Sequence, residues 1–148
     1  MFETAQDILT FLSGGNAKFT IQSKKTGKHF TFKVSQGWDG KSNKRDTTTP
    51  FFVSVLSGPD NEADFMFIGF IPLNKMAFRR PELVAGRKGR PDAPSFKALD
   101  WVLKRLTQNV LPEDLEVQHE GHCCRCGRTL THPDSLKSGI GPECRKHF

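Results

Sequence analysis

The sequence lacks the features that would place the chain in or across a membrane. No apolar run in its 148 residues reaches the roughly 18 to 20 residues that a membrane-spanning helix needs. Residues 1–15 carry acidic side chains and no basic stretch ahead of an apolar core, so they do not have the pattern of a secretory signal. We therefore expect a soluble, cytoplasmic protein that makes no membrane contact.

Signatures of catalysis are missing as well. There is no glycine-rich phosphate loop, no Gly-x-Ser-x-Gly turn around a nucleophilic serine and no His-Glu-x-x-His zinc motif. The carboxylates are dispersed over predicted turns, and His29 is expected to face solvent on a strand. Because no set of residues completes a catalytic arrangement, the sequence predicts a binding protein and not an enzyme.

The sequence does contain 13 phenylalanines, enough to build a hydrophobic core. Apolar and polar residues alternate over 18–22, 29–34 and 51–56, while 65–71 is apolar on both faces. This pattern predicts four strands, the fourth of them central, and 76–78 is a candidate for a short fifth strand at the edge. A short helix capped by Thr4 and a longer one over about 95–109, capped by Asp92 or Ser95, complete the predicted elements.

The expected fold class is therefore α+β. We predict an antiparallel meander of four to five strands with one packed helix, followed by a small C-terminal zinc module. The predicted domains are a core at 1–112 and the module at 113–148.

The four cysteines all lie between residues 123 and 144. In a reducing compartment such a cluster favours metal ligation over disulfide formation. Cys123 and Cys126 have Cys-x2-Cys spacing, which lets two thiolates converge from one tight turn. Cys144 follows a Gly-Ile-Gly-Pro turn at a predicted helix start, where the positive end of the helix favours its thiolate. These three residues are predicted to bind one Zn2+.

The fourth ligand is less constrained by spacing. His119, His147 and His122 are the alternatives, and Cys124 is expected to point away from the ion. Three thiolates and one imidazole close a tetrahedral shell and leave no position for water. The zinc is therefore expected to be structural, holding together a segment with few apolar residues of its own.

Positive charge is concentrated in one segment. Residues 75–105 hold nine basic and three acidic residues, which matches the +6 net charge of the whole chain. Such clustering favours a polyanion or an acidic protein surface as partner. The candidate contact residues in this segment and in the zinc module are Arg79, Arg80, Arg87, Lys88, Arg90, Lys104, Arg105, Arg125 and Arg128.

Two partner classes fit this distribution. The first is nucleic acid, or a complex that contains it, bound through phosphates with little dependence on base sequence. The alternative is a host nuclease or another nucleic-acid-processing defence protein, which this chain would inhibit in the manner of an anti-CRISPR protein.

The C-terminal motif also carries a family resemblance. Cys126-Gly-Arg-x-Leu-Thr followed by Gly139-Ile-Gly-Pro-x-Cys resembles small proteins of tailed phages and prophages that end in a short zinc domain of unknown function. The resemblance extends over 15–20, 25–28, 50–59, 98–106 and 119–144. It implies a zinc ion, a phage protein acting in the cytoplasm of a bacterial host, and His119 as the fourth ligand ahead of His147. It implies no particular biochemical activity.

Overall fold

The computed structural model describes residues 2–39, 44–60, 63–87 and 89–148, without the side chains of 38, 39, 44 and 45. The fold begins with helix α1, Ala5–Leu12, as predicted. Thr4 caps it, because its hydroxyl accepts a hydrogen bond from the backbone amide of Asp7 at 3.1 Å. Apolar residues at helical spacing turn one face of α1 inward, where it buries Ala5, Ile8, Leu9, Phe11 and Leu12.

Eight short strands are present among the described residues. They are β1 Asn16–Ser23, β2 His29–Ser35, β3 Trp38–Asp39, β4 Lys44–Arg45, β5 Phe51–Leu56, β6 Phe65–Ile71, β7 Val84–Ala85 and β8 Leu115–His119. Six of them form one antiparallel sheet in the order β7-β6-β5-β2-β1-β8, while β3 pairs with β4. The predicted α+β class and antiparallel meander are confirmed, with a strand count slightly above the predicted four to five.

Alternation of apolar and polar residues fixes which face of the sheet is buried. On β1 and β2, Phe19 lies opposite Phe32, and both are fully buried. On β5, Val53 and Val55 continue the same buried face, and a bulge between Val53 and Ser54 shifts the register against β6. One face of the sheet therefore supplies the core.

Helix α3, Pro94–Thr107, covers that face together with α1. It buries Phe96, Leu99, Val102, Leu103 and Leu106. Pro94 stands in the first turn, where a missing amide costs nothing. The expected cap by Asp92 or Ser95 is wrong, since Ala93 occupies the cap position and no side chain caps the helix.

The segment after β6 also differs from the prediction. Met76, Ala77 and Phe78 do not form an edge strand, because helix α2, Leu73–Ala77, begins directly after Pro72. The amide of Met76 donates to the carbonyl of Pro72 at 3.1 Å. Three apolar residues are too few to distinguish a helical from an extended period. The edge strand is β7, eight residues further along the chain from Met76, so β6 lies next to the edge and not at the centre.

Strand β8 joins the C-terminal segment to the rest of the fold. It lies against β1, with Val117 opposite Ile21, and the amide of Phe2 donates to the carbonyl of Val117 at 3.2 Å. Two short helices follow, α4 Pro133–Ser138 and α5 Pro142–Arg145. Leu130 and Ile140 belong to the same buried cluster as the residues of α1. Residues after 112 thus share a sheet and a buried core with residues before it.

None of the helices in the described ranges is both long and apolar enough to cross a bilayer.

Candidate metal centre and binding surfaces

The Cys-x2-Cys segment forms a tight turn. The amide of Gly127 donates to the carbonyl of Cys123 at 3.0 Å, and the amide of Cys123 donates to the carbonyl of Arg128 at 2.9 Å. Gly127 has φ +78°, a left-handed conformation that glycine adopts without strain. This turn points the sulfurs of Cys123 and Cys126 toward the same side.

Cys144 reaches the same place from α5. Gly139 ends α4 with φ +74°, and Pro142 then begins α5 two residues before the cysteine. The amide of Gly141 donates to Cys123 Sγ at 3.2 Å, which fastens this turn to the first one. The three Sγ atoms of Cys123, Cys126 and Cys144 lie within 4.8 Å of one another.

This spacing fits a bound metal ion. Tetrahedral coordination with metal–sulfur bonds of about 2.3 Å separates the sulfurs by roughly 3.8 Å, which lies inside the observed limit. Backbone amides that donate to the sulfurs are the usual outer partners of such ligands. The sequence prediction that these three cysteines converge is confirmed.

The surroundings of the sulfurs shift their proton affinities in opposite directions. A hydrogen bond from the Cys124 thiol is the main cause that lowers the pKa of Cys123 to about 3; burial opposes it, and hydrogen bonds from backbone amides add to the lowering. Burial raises the pKa of Cys144 to about 11, although the Arg125 guanidinium, 3.7 Å from its sulfur, acts in the other direction. Without a metal, Cys123 is therefore a thiolate near neutral pH, whereas Cys144 keeps its proton.

His119 does not lie with the three sulfurs. Its Nδ1 accepts a hydrogen bond from the amide of Gly121 at 2.9 Å, and its Nε2 contacts the carbonyl oxygen of Leu136. The ring packs between Phe2 and Phe11, with centroid distances of 5.6 and 5.9 Å. The expectation that His119 ligates the metal is not met in this geometry, because both ring nitrogens have backbone partners.

The other expected alternatives lie elsewhere too. His147 lines a separate cavity with Arg125 and Phe148, and His122 is exposed beside the Cys-x2-Cys turn. Neither joins the group of sulfurs.

Cys124 has a packing role that the sequence did not reveal. It is fully buried, and it packs so closely on Gly14 that a side chain there would collide with it. Its carbonyl accepts a hydrogen bond from the amide of Asn16 at 2.7 Å. The hydrogen bond that its thiol donates to Cys123 raises the pKa of Cys124, and burial raises it further, so it stays a neutral thiol. It is not one of the three cysteines whose sulfurs converge.

A cavity of about 370 Å³ opens beside the three sulfurs. Its walls include His132, Ser135 and Glu143, which sequence reasoning did not select. Ser135 is buried at 5 % exposure. The sequence signal for these residues is faint, since they occupy the loop between the two cysteine turns and carry no motif of their own.

Comparison with known proteins bears on this C-terminal segment alone. Residues 113–148 match a family described as "Family of unknown function (DUF6011)". No curated protein and no solved structure matches the chain. The matched residues contain the cysteine cluster, and the match carries no assigned activity.

Those predicted basic contact residues that the structure describes are spread over several places, and Arg79 is engaged within the fold. Its guanidinium donates to the side-chain oxygen and the carbonyl of Gln6 and to the hydroxyl of Thr10, at 2.9 to 3.1 Å. Its backbone has φ +58°. Arg79 therefore ties the end of α2 to α1.

Arg80, Lys104 and Arg105 do come together, along a groove of about 460 Å³ beside α3. Their charge there is partly compensated, because Lys104 pairs with Asp100 at 3.0 Å. Arg105 lies over the ring of Trp101 at 5.1 Å. The groove keeps a modest positive excess.

The remaining predicted basic residues are spread over other places. Arg87 and Arg90 are exposed on the loop around β7, and Lys88 lies outside the described residues. Arg125 lines the cavity next to α1, and Arg128 lines the cysteine cavity.

The face of the sheet opposite the helices offers a different surface, which we call the open face. Cross-strand pairing places Lys18, Lys33, Ser54 and Phe67 in one row over β1, β2, β5 and β6. Phe52 lies on the same face at 39 % exposure, and Phe67 at 49 %. Their ring centroids are 6.2 Å apart. Aromatic rings thus occupy the β5–β6 side of this face and lysines the β1–β2 side.

Proposed function

We propose that this protein is a zinc-stabilised, non-catalytic protein that binds single-stranded nucleic acid on the open face of its sheet. The observation that carries the proposal is the row from Lys18 through Lys33 to Phe67, which sets cations beside a partly exposed aromatic pair. In this proposal the protein is a phage protein working in the cytoplasm of a bacterial host.

The arrangement suits a strand of nucleic acid because the two sides of the face offer different interactions. Bases stack on aromatic rings whatever their identity, and phosphates pair with lysines. Adjacent strands lie about 4.8 Å apart, so the Cα atoms of Lys33 and Phe67 are roughly 10 Å apart across β5. Lys18 also lies over the ring of Phe65 at 5.4 Å, which confirms that cations and aromatics share this face.

Other charges on the open face modify its potential without reversing it. Glu116 on β8 lies opposite Gln22, at the far edge from Phe67. Thr20 and Thr31 form the next cross-strand pair on this face, two residues along from Lys18 and Lys33, and they share a hydrogen bond of 2.7 Å. Hydroxyls of this kind serve as neutral partners for phosphates and sugars.

The metal has a supporting part in this proposal. Three thiolates that converge from two turns are typical ligands of Zn2+. The ion would fasten the segment after β8 to the sheet, and it would not itself contact nucleic acid. Elemental analysis of protein purified without added metal is expected to give about one zinc per chain. Cys126→Ser is expected to lower that value well below one, and an unchanged value would contradict the zinc centre.

Binding is measured by fluorescence anisotropy with a labelled oligothymidylate and with a duplex of equal length. We expect binding of the single strand that weakens strongly between about 50 mM and about 200 mM salt. Phe67→Ala is expected to weaken it roughly fivefold to a hundredfold, since one stacking partner is lost. Lys33→Ala is expected to reduce the slope of log affinity against log salt by about 0.7.

Phe78→Ala is the matched control. Phe78 is 78 % exposed and lies after α2, outside the sheet, so its removal should leave affinity unchanged. Equal effects of the two phenylalanine variants would refute the open face as the contact. Weakening by Arg80→Ala with none by Phe67→Ala would move the contact to the groove beside α3. Absence of binding to either probe at low salt would refute the function.

A further inference from the structure

We propose that the fourth ligand of the zinc centre put forward above comes from solution. This ligand is water when no other is present, and it occupies a coordination position open to the cavity beside the cysteines. This inference rests on the zinc centre of the proposed function. It replaces the closed shell of three thiolates and one histidine that the sequence predicted. Three protein ligands with a solvent-filled fourth position are the arrangement of zinc sites that exchange ligands.

The first argument is that no fourth metal-ligating side chain lies with the three sulfurs, as far as the structure describes the chain. His119 has backbone partners at both ring nitrogens, and Cys124 is packed against Gly14. His147 lines the other cavity together with Arg125, and His122 is exposed. None of these four side chains joins the cysteine group in the described part of the chain.

Two further residues line the cysteine cavity, and each has another partner. Glu143 pairs with Lys146 at 3.4 Å and is exposed. His132 caps α4, since its Nδ1 accepts a hydrogen bond from the amide of Asp134 at 3.3 Å. A neutral imidazole that accepts at Nδ1 carries its proton at Nε2. In that tautomer Nε2 donates a hydrogen bond, and it has no lone pair for a metal.

The second argument is a buried hydroxyl that faces no protein partner. Ser135 lines the cavity at 5 % exposure, and among the described residues its Oγ has no hydrogen bond. The neighbouring Ser138 differs, because its Oγ receives the amide of Ile140 at 3.2 Å. A buried hydroxyl without a partner costs free energy, which a ligand in the cavity would recover.

The size and charge of the cavity indicate the class of ligand. A volume of about 370 Å³ holds several waters at roughly 30 Å³ each, or one small molecule. Ser135 and the Nε2–H of His132 supply donors, and Arg128 supplies a positive charge on the wall. Small neutral or anionic donor ligands fit these features, and cations do not.

The test uses the full chain with Co2+ in place of Zn2+, because cobalt reports its ligands through visible absorption bands. Azide is the probe. We expect the bands to shift saturably as azide is added. Ser135→Ala should weaken azide binding about threefold to tenfold through the lost hydrogen bond, with one cobalt still bound per chain. Ser54→Ala, on the open face far from the cavity, should leave azide binding unchanged.

Each outcome separates this inference from the zinc centre itself. Failure to bind stoichiometric cobalt would refute the zinc centre. Stoichiometric cobalt with bands that azide does not move would overturn the open position alone. In that case a changed spectrum in His147→Ala, His119→Ala, His122→Ala or Cys124→Ala identifies the protein ligand that closes the shell.

Discussion

Gly14→Ala tests whether the cysteine segment and the N-terminal helix form one packed unit. Gly14 follows α1, and its amide donates to the carbonyl of Phe11 at 3.2 Å. A Cβ at this position would lie 2.5 Å from the carbonyl oxygen of Cys124 and would also collide with its sulfur. That carbonyl is held in place by the amide of Asn16, so it has little room to move.

The expected cost follows from this crowding. Inserting atoms into a well-packed region typically costs about 1 to 3 kcal/mol. A loss of about 2 kcal/mol lowers the ratio of folded to unfolded protein roughly thirtyfold. At about 2 to 4 °C per kcal/mol for a chain of this size, the melting temperature should fall by about 4 to 8 °C.

The assay is thermal unfolding followed by circular dichroism, combined with a zinc titration. Gly37→Ala is the matched control, because a Cβ there meets only the Thr49 side chain, with Oγ1 at 3.6 Å and Cγ2 at 3.7 Å, both ordinary contact distances. We expect Gly14→Ala also to weaken zinc binding, since Cys124 must shift beside Cys123. A melting temperature within about 1 °C of the Gly37→Ala value would refute the close contact between α1 and the cysteine turn.

Three further outcomes are expected. Arg79→Ala should lower the free energy of unfolding in urea by about 1 kcal/mol, because its hydrogen bonds to α1 are lost, whereas Arg80→Ala should have little effect. Equal losses in the two variants would contradict the role of Arg79 in tying α2 to α1. Apparent zinc affinity should rise by at least about tenfold per pH unit near neutrality, because the raised pKa of Cys144 keeps a proton on its thiol that the ion must displace. Zinc titrations at pH 6, 7 and 8 check this, and an affinity that does not change with pH would contradict it. Cutting the chain after residue 112 should give insoluble protein in a solubility assay, because β1 loses β8, the strand that pairs with its edge. A soluble fragment that unfolds cooperatively would contradict this dependence on the shared sheet.

Local patterns in the sequence were sufficient for the elements that depend on neighbouring residues. The capped α1, the β1–β2 hairpin and the start of α5 each have a signal within a few residues, and all three are present. The Cys-x2-Cys turn belongs to this group, since its geometry follows from the spacing and from Gly127.

Features that depend on distant partners could not be predicted in this way. Spacing places His119 near the cysteines, but it does not reveal that Phe2 and Phe11 enclose the ring. Charge counting selects Arg79, although Gln6 already binds its guanidinium. The open face went unpredicted because β6 is apolar on both faces, and only the arrangement of the helices decides which of them stays uncovered.

The pairing of β8 with β1 has a consequence for synthesis on the ribosome. Val117 lies 96 residues after Ile21 in the chain, so the β1–β2 hairpin has one edge unpaired until β8 has been synthesised. Translation that stalls late would release chains with that edge unpaired, ready to associate with one another. Strand β8 thereby protects β1 from pairing with other, incomplete chains.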